Sequence, residues 1–333
     1  MTGEARAFWV VAPGRGEIRH EPLRSPADDE VAVRTLFSGI SRGTEALVFG
    51  GRVPASEWAR MRAPFQEGEF PGPVKYGYAS VGRVEQGPTG LKDQTVFVLY
   101  PHQDRYVVPA SSVHLLPPDV PPGRAVLAAN LETAINGLWD ARPHLGDRLV
   151  VIGAGTVGCL VAWLAARVPG CVVQLVDVDP RRAAVAATLG IAFAEPGSAM
   201  RDADVVIHAS GSPGGLQRAL ELAGREATIV EMSWFGDREV TLALGSAFHS
   251  KRLTIASSQV GQVAPAQRAR WTTRRRMQLA LSLLADASLD VLVTGESSFG
   301  ELPDVMARVA AGAGDVLCHR IRYDSSEEPS CSA

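Results

Sequence analysis

The sequence predicts an α/β protein of two domains, the first rich in short β-strands and the second a doubly wound parallel sheet. Three observations carry this reading. The chain has 333 residues, 46% of them hydrophobic, more than one core accommodates, because single cores stop growing at roughly 250 to 300 residues. Up to about residue 125 the apolar runs are short and broken by Gly, Pro and Asp: RAFWVVA, EIRHEP, EVAVRTLFSGI, YGYASVGRVE, TVFVLYP and RYVVPA. Such strands and turns without helical periodicity suggest a barrel or folded sheet. From about 149 to 258 apolar runs alternate with helical segments, in LVVIGAG, CVVQLVDVD, DADVVIHASG, ATIVEMSW and RLTIASS. That alternation is the mark of βαβ units around a sheet buried on both faces.

The expected division is 1–127 for the first domain, 128–258 for the parallel-sheet domain and 259–323 for a return to the first. The return carries helices expected at 272–285 and 301–312 and a strand in VLCHRIRY. The last residues, DSSEEPSCSA at 324–333, read as a disordered tail.

A formal net charge of −3 gives no general attraction to nucleic acid or to anionic membranes, which favours a small soluble partner. The largest basic cluster, RARWTTRRR at 268–276, is local and reads most simply as a solvated helix start; an anionic substrate or partner surface is the alternative. Cys159, Cys171, Cys318 and Cys331 stand far apart, so neither a disulfide framework nor a zinc-binding spacing is implied. With no signal-like N-terminus and no apolar window of about 18 residues, the expected location is the cytoplasm.

LVVIGAGTVGCLVAW, 149–163, sets Gly153, Gly155 and Gly158 in G-x-G-x-x-G register between an apolar strand and a helix. The first glycine permits a tight turn, the second lets backbone approach a pyrophosphate, and the third lets helix and strand pack closely. The helix amides, with Thr156 and Val157 among the first residues, then face the phosphates. A lone triplet is often just a structural turn. Here the next strand ends in Asp177, nineteen residues after Gly158, close to the spacing of roughly 20 for an acid that binds the adenosine ribose. Strand, loop, helix, strand and acid in this order predict a Rossmann domain. A carboxylate at Asp177 favours the cofactor NAD and repels the 2′-phosphate of NADP, while Arg181 and Arg182 leave the opposite preference open.

Several stretches in order along the chain resemble the medium-chain, zinc-type alcohol dehydrogenase superfamily: TLFSGISRGTE (35–45), YGYASVGRVE, RYVVPASSVHLLP (105–117), NLETAINGL (130–138), the glycine loop, DVVIHASGSPGGLQRAL (204–220) and TIVEMSWFGD (228–237). SGISRGTE combined with FHSKRLTIASSQVG is similar to a bacterial subgroup that includes the bacteriochlorophyllide a dehydrogenases, which oxidise a hydroxyethyl side chain. The resemblance implies a GroES-like first domain beside the Rossmann sheet, and a homodimer. It also implies a departure: Ser41, Tyr78 with Ala79, and Ala129 stand where zinc-using relatives carry metal ligands, and a short VLYPHQDRY (98–106) replaces the structural-zinc lobe. The chain therefore resembles a zinc-less branch, in which Tyr78 would line the substrate cleft.

What replaces the metal must stabilise an oxyanion and move a proton. The stretches that line the cleft in relatives offer Tyr78, Arg42, Glu45, Glu132 and His102. Tyr78 would donate to the substrate oxygen, with Arg42 lowering its pKa from near 10; simple packing is the alternative. Glu45 is either catalytic or paired with Arg42, Glu132 either catalytic or merely near the cofactor, and His102 a relay or a loop residue. The same resemblance implies cofactor contacts at Ser41, Thr133, Ser210, Gly211, Ser233, Ser257 and Gln259, besides the glycine loop, Asp177 and Arg182. The expected activity is zinc-independent hydride transfer between NAD(H) and a secondary alcohol or ketone. Reduction of a conjugated C=C bond, for which relatives commonly use NADPH, and NAD(H) binding without turnover are the alternatives.

Overall fold

A computed structural model describes residues 3–312 and 316–323. The expected tail at 324–333, and Cys331 within it, lie outside the described residues. The chain divides into two compact units, Met1–Ala129 with Val293–Ala333, and Asn130–Leu292.

The first unit opens with β1 (Gly3–Ala12) and β2 (Arg15–Leu23), an antiparallel hairpin turned at Gly14, whose φ of +74 suits glycine. β3 (Glu30–Ile40) runs into α1 (Arg42–Phe49). The short β4 (Glu67–Gly68) and β5 (Val74–Lys75) precede β6 (Ser80–Gln86), β7 (Thr95–Val98), β8 (Arg105–Pro109) and β9 (His114–Leu115). Alternate residues of these strands point inward, so Val31, Val33, Val84, Val96, Val98, Tyr106 and Val108 meet in one apolar core.

The second unit begins in α1's longer successor, α2 (Ala128–Ala141), followed by β10 (Arg148–Ile152), α3 (Thr156–Ala165), β11 (Val172–Val176), α4 (Arg182–Thr188) and β12 (Ala192–Ala194). Then come β13 (Ala203–His208), α5 (Pro213–Leu222), β14 (Ala223–Glu231), β15 (Thr254–Ser257) and α6 (Thr273–Leu283). All six strands are parallel, in the order β12-β11-β10-β13-β14-β15. Leu149, Val150 and Val151 of the central strand are wholly buried, which explains an apolar run without alternation. The strand order reverses between β10 and β13, and ligands of such sheets bind at the carboxyl ends beside that point.

The chain then returns through β16 (Val293–Ser298), α7 (Leu302–Ala310) and β17 (Cys318–Arg322). These complete the larger sheet of the first unit, β16-β17-β3-β6-β7-β9 with β8 paired to β3; β2-β1-β5-β4 form the smaller one. The architecture is α/β, a GroES-like β-rich unit and a Rossmann unit, as the sequence predicts.

One expected boundary is corrected. Residues 259–292 belong to the second unit, not the first, because buried Arg276 of α6 ties this segment to α2. Its Nε lies 3.0 Å from Glu132 and its Nη1 2.5 Å from Asn136 Oδ1, while Nη2 donates to the Val260 carbonyl at 2.6 Å. The basic run is accordingly not a wholly solvated helix start. Among the described residues, no helix is long and apolar enough to cross a membrane.

Candidate active site

At the crest of the parallel sheet the three glycines have separate reasons. Gly153 sits at φ +104, and a Cβ there would come within 2.6 Å of the Ser210 backbone nitrogen. A Cβ on Gly158 would collide with the Gly153 carbonyl, whereas Gly155, the N-cap of α3, faces nothing within 4 Å. The loop is thus closed on its inner side and open where a ligand would approach. Thr156 and Val157 start α3 beside it.

Asp177 follows β11. Its Oδ2 accepts the Ala154 amide at 2.6 Å and its Oδ1 the Asp179 amide at 2.9 Å, so the carboxylate is held against the glycine loop. Arg181 grips Asp179 at 2.8 and 3.0 Å, and the buried Arg182 lies 3.6 Å from the same carboxylate.

At the ends of the next two strands, His208 Nε2 lies 2.6 Å from Ser210 Oγ and Nδ1 2.7 Å from Glu231 Oε2. The Ser233 amide donates to Glu231 Oε1 at 2.6 Å, and Ser233 Oγ accepts the Gly211 amide at 3.0 Å. Ser210, Gly211 and Ser233 are therefore brought together. Ser257 and Gln259 are not part of this network: Ser257 lines a separate cavity of about 560 Å³ with Asp140, Asp204 and Thr228, and Gln259 Oε1 accepts the Gly261 amide in a local turn. Thr133 is half-buried on α2, next to Glu132.

The first unit holds a second polar cluster. Glu45 Oε1 accepts the Ser41 amide at 2.7 Å and Oε2 lies 2.8 Å from His102 Nε2; His102 Nδ1 is 2.7 Å from Ser38 Oγ, which is 3.0 Å from the Tyr323 hydroxyl. Tyr78 is half-buried, in the same unit as this cluster. The glycine between the two tyrosines is needed here: Gly77 has φ +137, and a Cβ would lie 3.0 Å from His102 Cδ2.

Two expectations, both about Arg42, are overturned. Arg42 is exposed and donates to the Val316 carbonyl at 3.3 Å, so it neither pairs with Glu45 nor lowers the Tyr78 pKa. Burial, with the nearby Glu45 charge, instead pushes the Tyr78 phenol up to about 12. Glu132 is occupied by Arg276; burial raises its pKa and the guanidinium opposes that rise.

Sequence reasoning passed over His208, Glu231, Ser38, Tyr323 and Arg276. For His208 a signal existed: a histidine in the apolar run DVVIH, two residues before Ser210, shares a strand face with it.

No family model matches the chain. A curated relative, the 2-desacetyl-2-hydroxyethyl bacteriochlorophyllide A dehydrogenase of Rhodobacter capsulatus, is 29% identical over 258 residues, covering 71% of this chain and 75% of its own. Two solved structures share the fold. A dehydrogenase of Sinorhizobium meliloti bound to NADP superposes with a TM-score of 0.76 at 17% identity over 96% of this chain and 99% of its own. An alcohol dehydrogenase of Escherichia coli complexed with NADH gives 0.74 at 17%, covering 96% and 98%. The Sinorhizobium meliloti protein is a zinc-binding dehydrogenase, and a further curated relative, from Haemophilus influenzae, is a zinc-type alcohol dehydrogenase-like protein 26% identical to this chain, covering 92% of it and 95% of its own length.

The residues that the resemblance sets against zinc ligands do not suit that metal. At the positions aligned by motif with metal ligands stand Ser41, Tyr78, Ala79 and Ala129, a hydroxyl, a phenol and two methyl groups, which do not fit the thiolate, imidazole and carboxylate chemistry of zinc. Among the described residues, no group of three or more His, Cys, Asp or Glu side chains could hold a metal ion. A nicotinamide dinucleotide does fit: the open face at Gly155 and the acid held beside it are the features its diphosphate and ribose require.

Proposed function

We propose that the chain is a nicotinamide-dependent oxidoreductase that moves hydride between NAD(H) and a secondary alcohol or its ketone without zinc. The observation that carries this reading is the pairing of an open glycine loop with Asp177 at the sheet crest. Gly153, Gly155, Gly158, Thr156 and Val157 would hold the diphosphate, Asp177 the adenosine ribose, and Thr133, Ser210, Gly211 and Ser233 the remaining polar groups. When bound, the cofactor supplies the carbon that takes or returns hydride.

Asp177 spends one lone pair of each oxygen on a backbone amide and keeps the others for hydroxyl donors. Its charge repels a 2′-phosphate, and Arg181 and Arg182 are directed to Asp179, which supports NAD(H) over NADP(H).

The proton side of the reaction falls to Tyr78. With its pKa pushed up to about 12, the resting phenol is neutral: in ketone reduction it gives its proton to the substrate oxygen as hydride arrives and regains one from water, and alcohol oxidation runs the same path in reverse. Glu45 and His102 act behind it as positioning residues: Glu45 fixes the Ser41 backbone and opposes ionisation of Tyr78, and His102 links Glu45 to Ser38 and Tyr323.

The test is to supply the purified protein with NADH or NAD⁺ and a panel of secondary alcohols, ketones and enones, following nicotinamide absorbance. Turnover of alcohols or ketones that survives chelators is expected. Activity with enones alone would move the reaction to C=C reduction, and activity lost to a chelator and restored by zinc would remove the metal-free reading.

A further inference from the structure

His208 is wholly buried at the end of β13, yet neither hydride transfer nor the diphosphate calls for an imidazole there. Its partners define what it does. In the tautomer in which Glu231 accepts, the 2.7 Å contact places the ring hydrogen of His208 on Nδ1. In that tautomer Nε2 is an acceptor, and the Ser210 hydroxyl 2.6 Å away donates to it. One lone pair of Ser210 Oγ takes the Ser212 amide at 3.2 Å. What remains for a ligand is a lone pair. Ser233 is set the other way: its Oγ accepts the Gly211 amide, and its nearest ring atom is the hydrogen-bearing Nδ1 at 3.4 Å, so its hydroxyl hydrogen is left to donate.

We infer that His208 is a specificity-determining positioning residue. By turning the Ser210 hydroxyl inward it makes Ser210 an acceptor beside the donor Ser233, so that the crest takes a ligand offering a neutral donor, a hydroxyl or an amide N–H, at Ser210. An anionic oxygen at that point would face a lone pair, with the Glu231 carboxylate behind it. The inference rests on the proposed nicotinamide cofactor, whose ribose hydroxyls and carboxamide are donors of this kind.

The test titrates NADH into the wild-type protein, Ser210→Ala, His208→Gln and the double variant, reading nicotinamide fluorescence, with thermal melts run alongside. Each single change is expected to raise the NADH Kd about three- to tenfold, the loss of one hydrogen bond. The double variant is expected to bind no worse than the weaker single, because His208 acts through the Ser210 hydroxyl. Single effects that multiply in the double variant would assign His208 a general structural role and overturn the inference. Ser210→Ala changes an exposed residue, with the melts reading any cost of leaving His208 Nε2 without its partner, so it tests the idea even if His208→Gln fails to fold: unchanged NADH affinity in that variant also overturns it. A wild-type protein that does not bind NADH would instead remove the proposed function itself, and this inference with it.

Discussion

Glu45 Oε2 lies 2.8 Å from His102 Nε2, with the two side chains 3% and 1% exposed. At that depth each is the other's substitute for water, and removing one strands the other. Glu45→Ala, which also orphans the Ser41 amide, is expected to destabilise the protein by about 3 to 5 kcal/mol in urea unfolding. Glu45→Gln retains both contacts in neutral form and should lose less. Equal unfolding midpoints for all three proteins would show that the pair contributes nothing.

All five tyrosines, Tyr76, Tyr78, Tyr100, Tyr106 and Tyr323, have phenol pKa values raised, in each case first by burial. The unfolded chain releases these protons near pH 10. Above that pH the unfolded state binds fewer protons than the folded state, so stability falls as pH rises. For Tyr78, whose pKa is raised to about 12, the loss is on the order of 2 to 3 kcal/mol once pH passes that value. Tyrosinate absorbance should therefore appear together with loss of circular dichroism; tyrosinate formed near pH 10 in an intact fold would contradict this.

Tyr78→Phe separates the chemical role from packing. A hydroxyl that donates to the substrate oxygen should contribute about 10² to 10⁴ in turnover, with NADH affinity unchanged. Steady-state kinetics at saturating cofactor would check it. Undiminished kcat would return Tyr78 to a packing role.

Asp177→Ala should raise the NADH Kd at least about tenfold, the value of a hydrogen bond to a charged group, and should narrow the preference against NADPH. Parallel titrations of the two cofactors measure both effects. A variant with wild-type discrimination would shift selectivity to residues other than Asp177.

Arg276 and Glu132 form a buried ion pair at 3.0 Å, with side chains 2% and 6% exposed. Arg276→Met leaves the Glu132 carboxylate unpaired and is expected to cost about 3 to 5 kcal/mol of stability. Glu132→Gln should retain kcat within about tenfold if Glu132 anchors α6; a loss of about 10² or more, typical of an acid–base group, would make it catalytic.

The legible parts of this protein lie within short windows. The alternation of strand and helix, the glycine register and the spacing to Asp177 are properties of contiguous backbone, because a tight turn, a close approach or a buried strand restricts the residues at that place. They were enough for the architecture and for the geometry of the glycine loop. YGY placed Tyr78 in the expected substrate cleft, and nothing in it indicated that Gly77 lies against His102.

Partners across the fold were a different matter. Glu45 and His102 are 57 positions apart, Glu132 and Arg276 are 144 apart, and Ser38 and Tyr323 are 285 apart. A buried polar group takes whichever partner the packed strands and helices bring within reach, and no local pattern states which one that is. Arg42 lay three residues from Glu45 and was the natural candidate from sequence, yet the helix it starts turned it to solvent and to a backbone carbonyl. The sequence by itself determined the β-rich and parallel-sheet parts, the turn geometry and the acid beside the loop; tertiary structure alone decided how each buried charge and hydroxyl is paired, since that choice depends on distances that exist only once the chain has closed on itself.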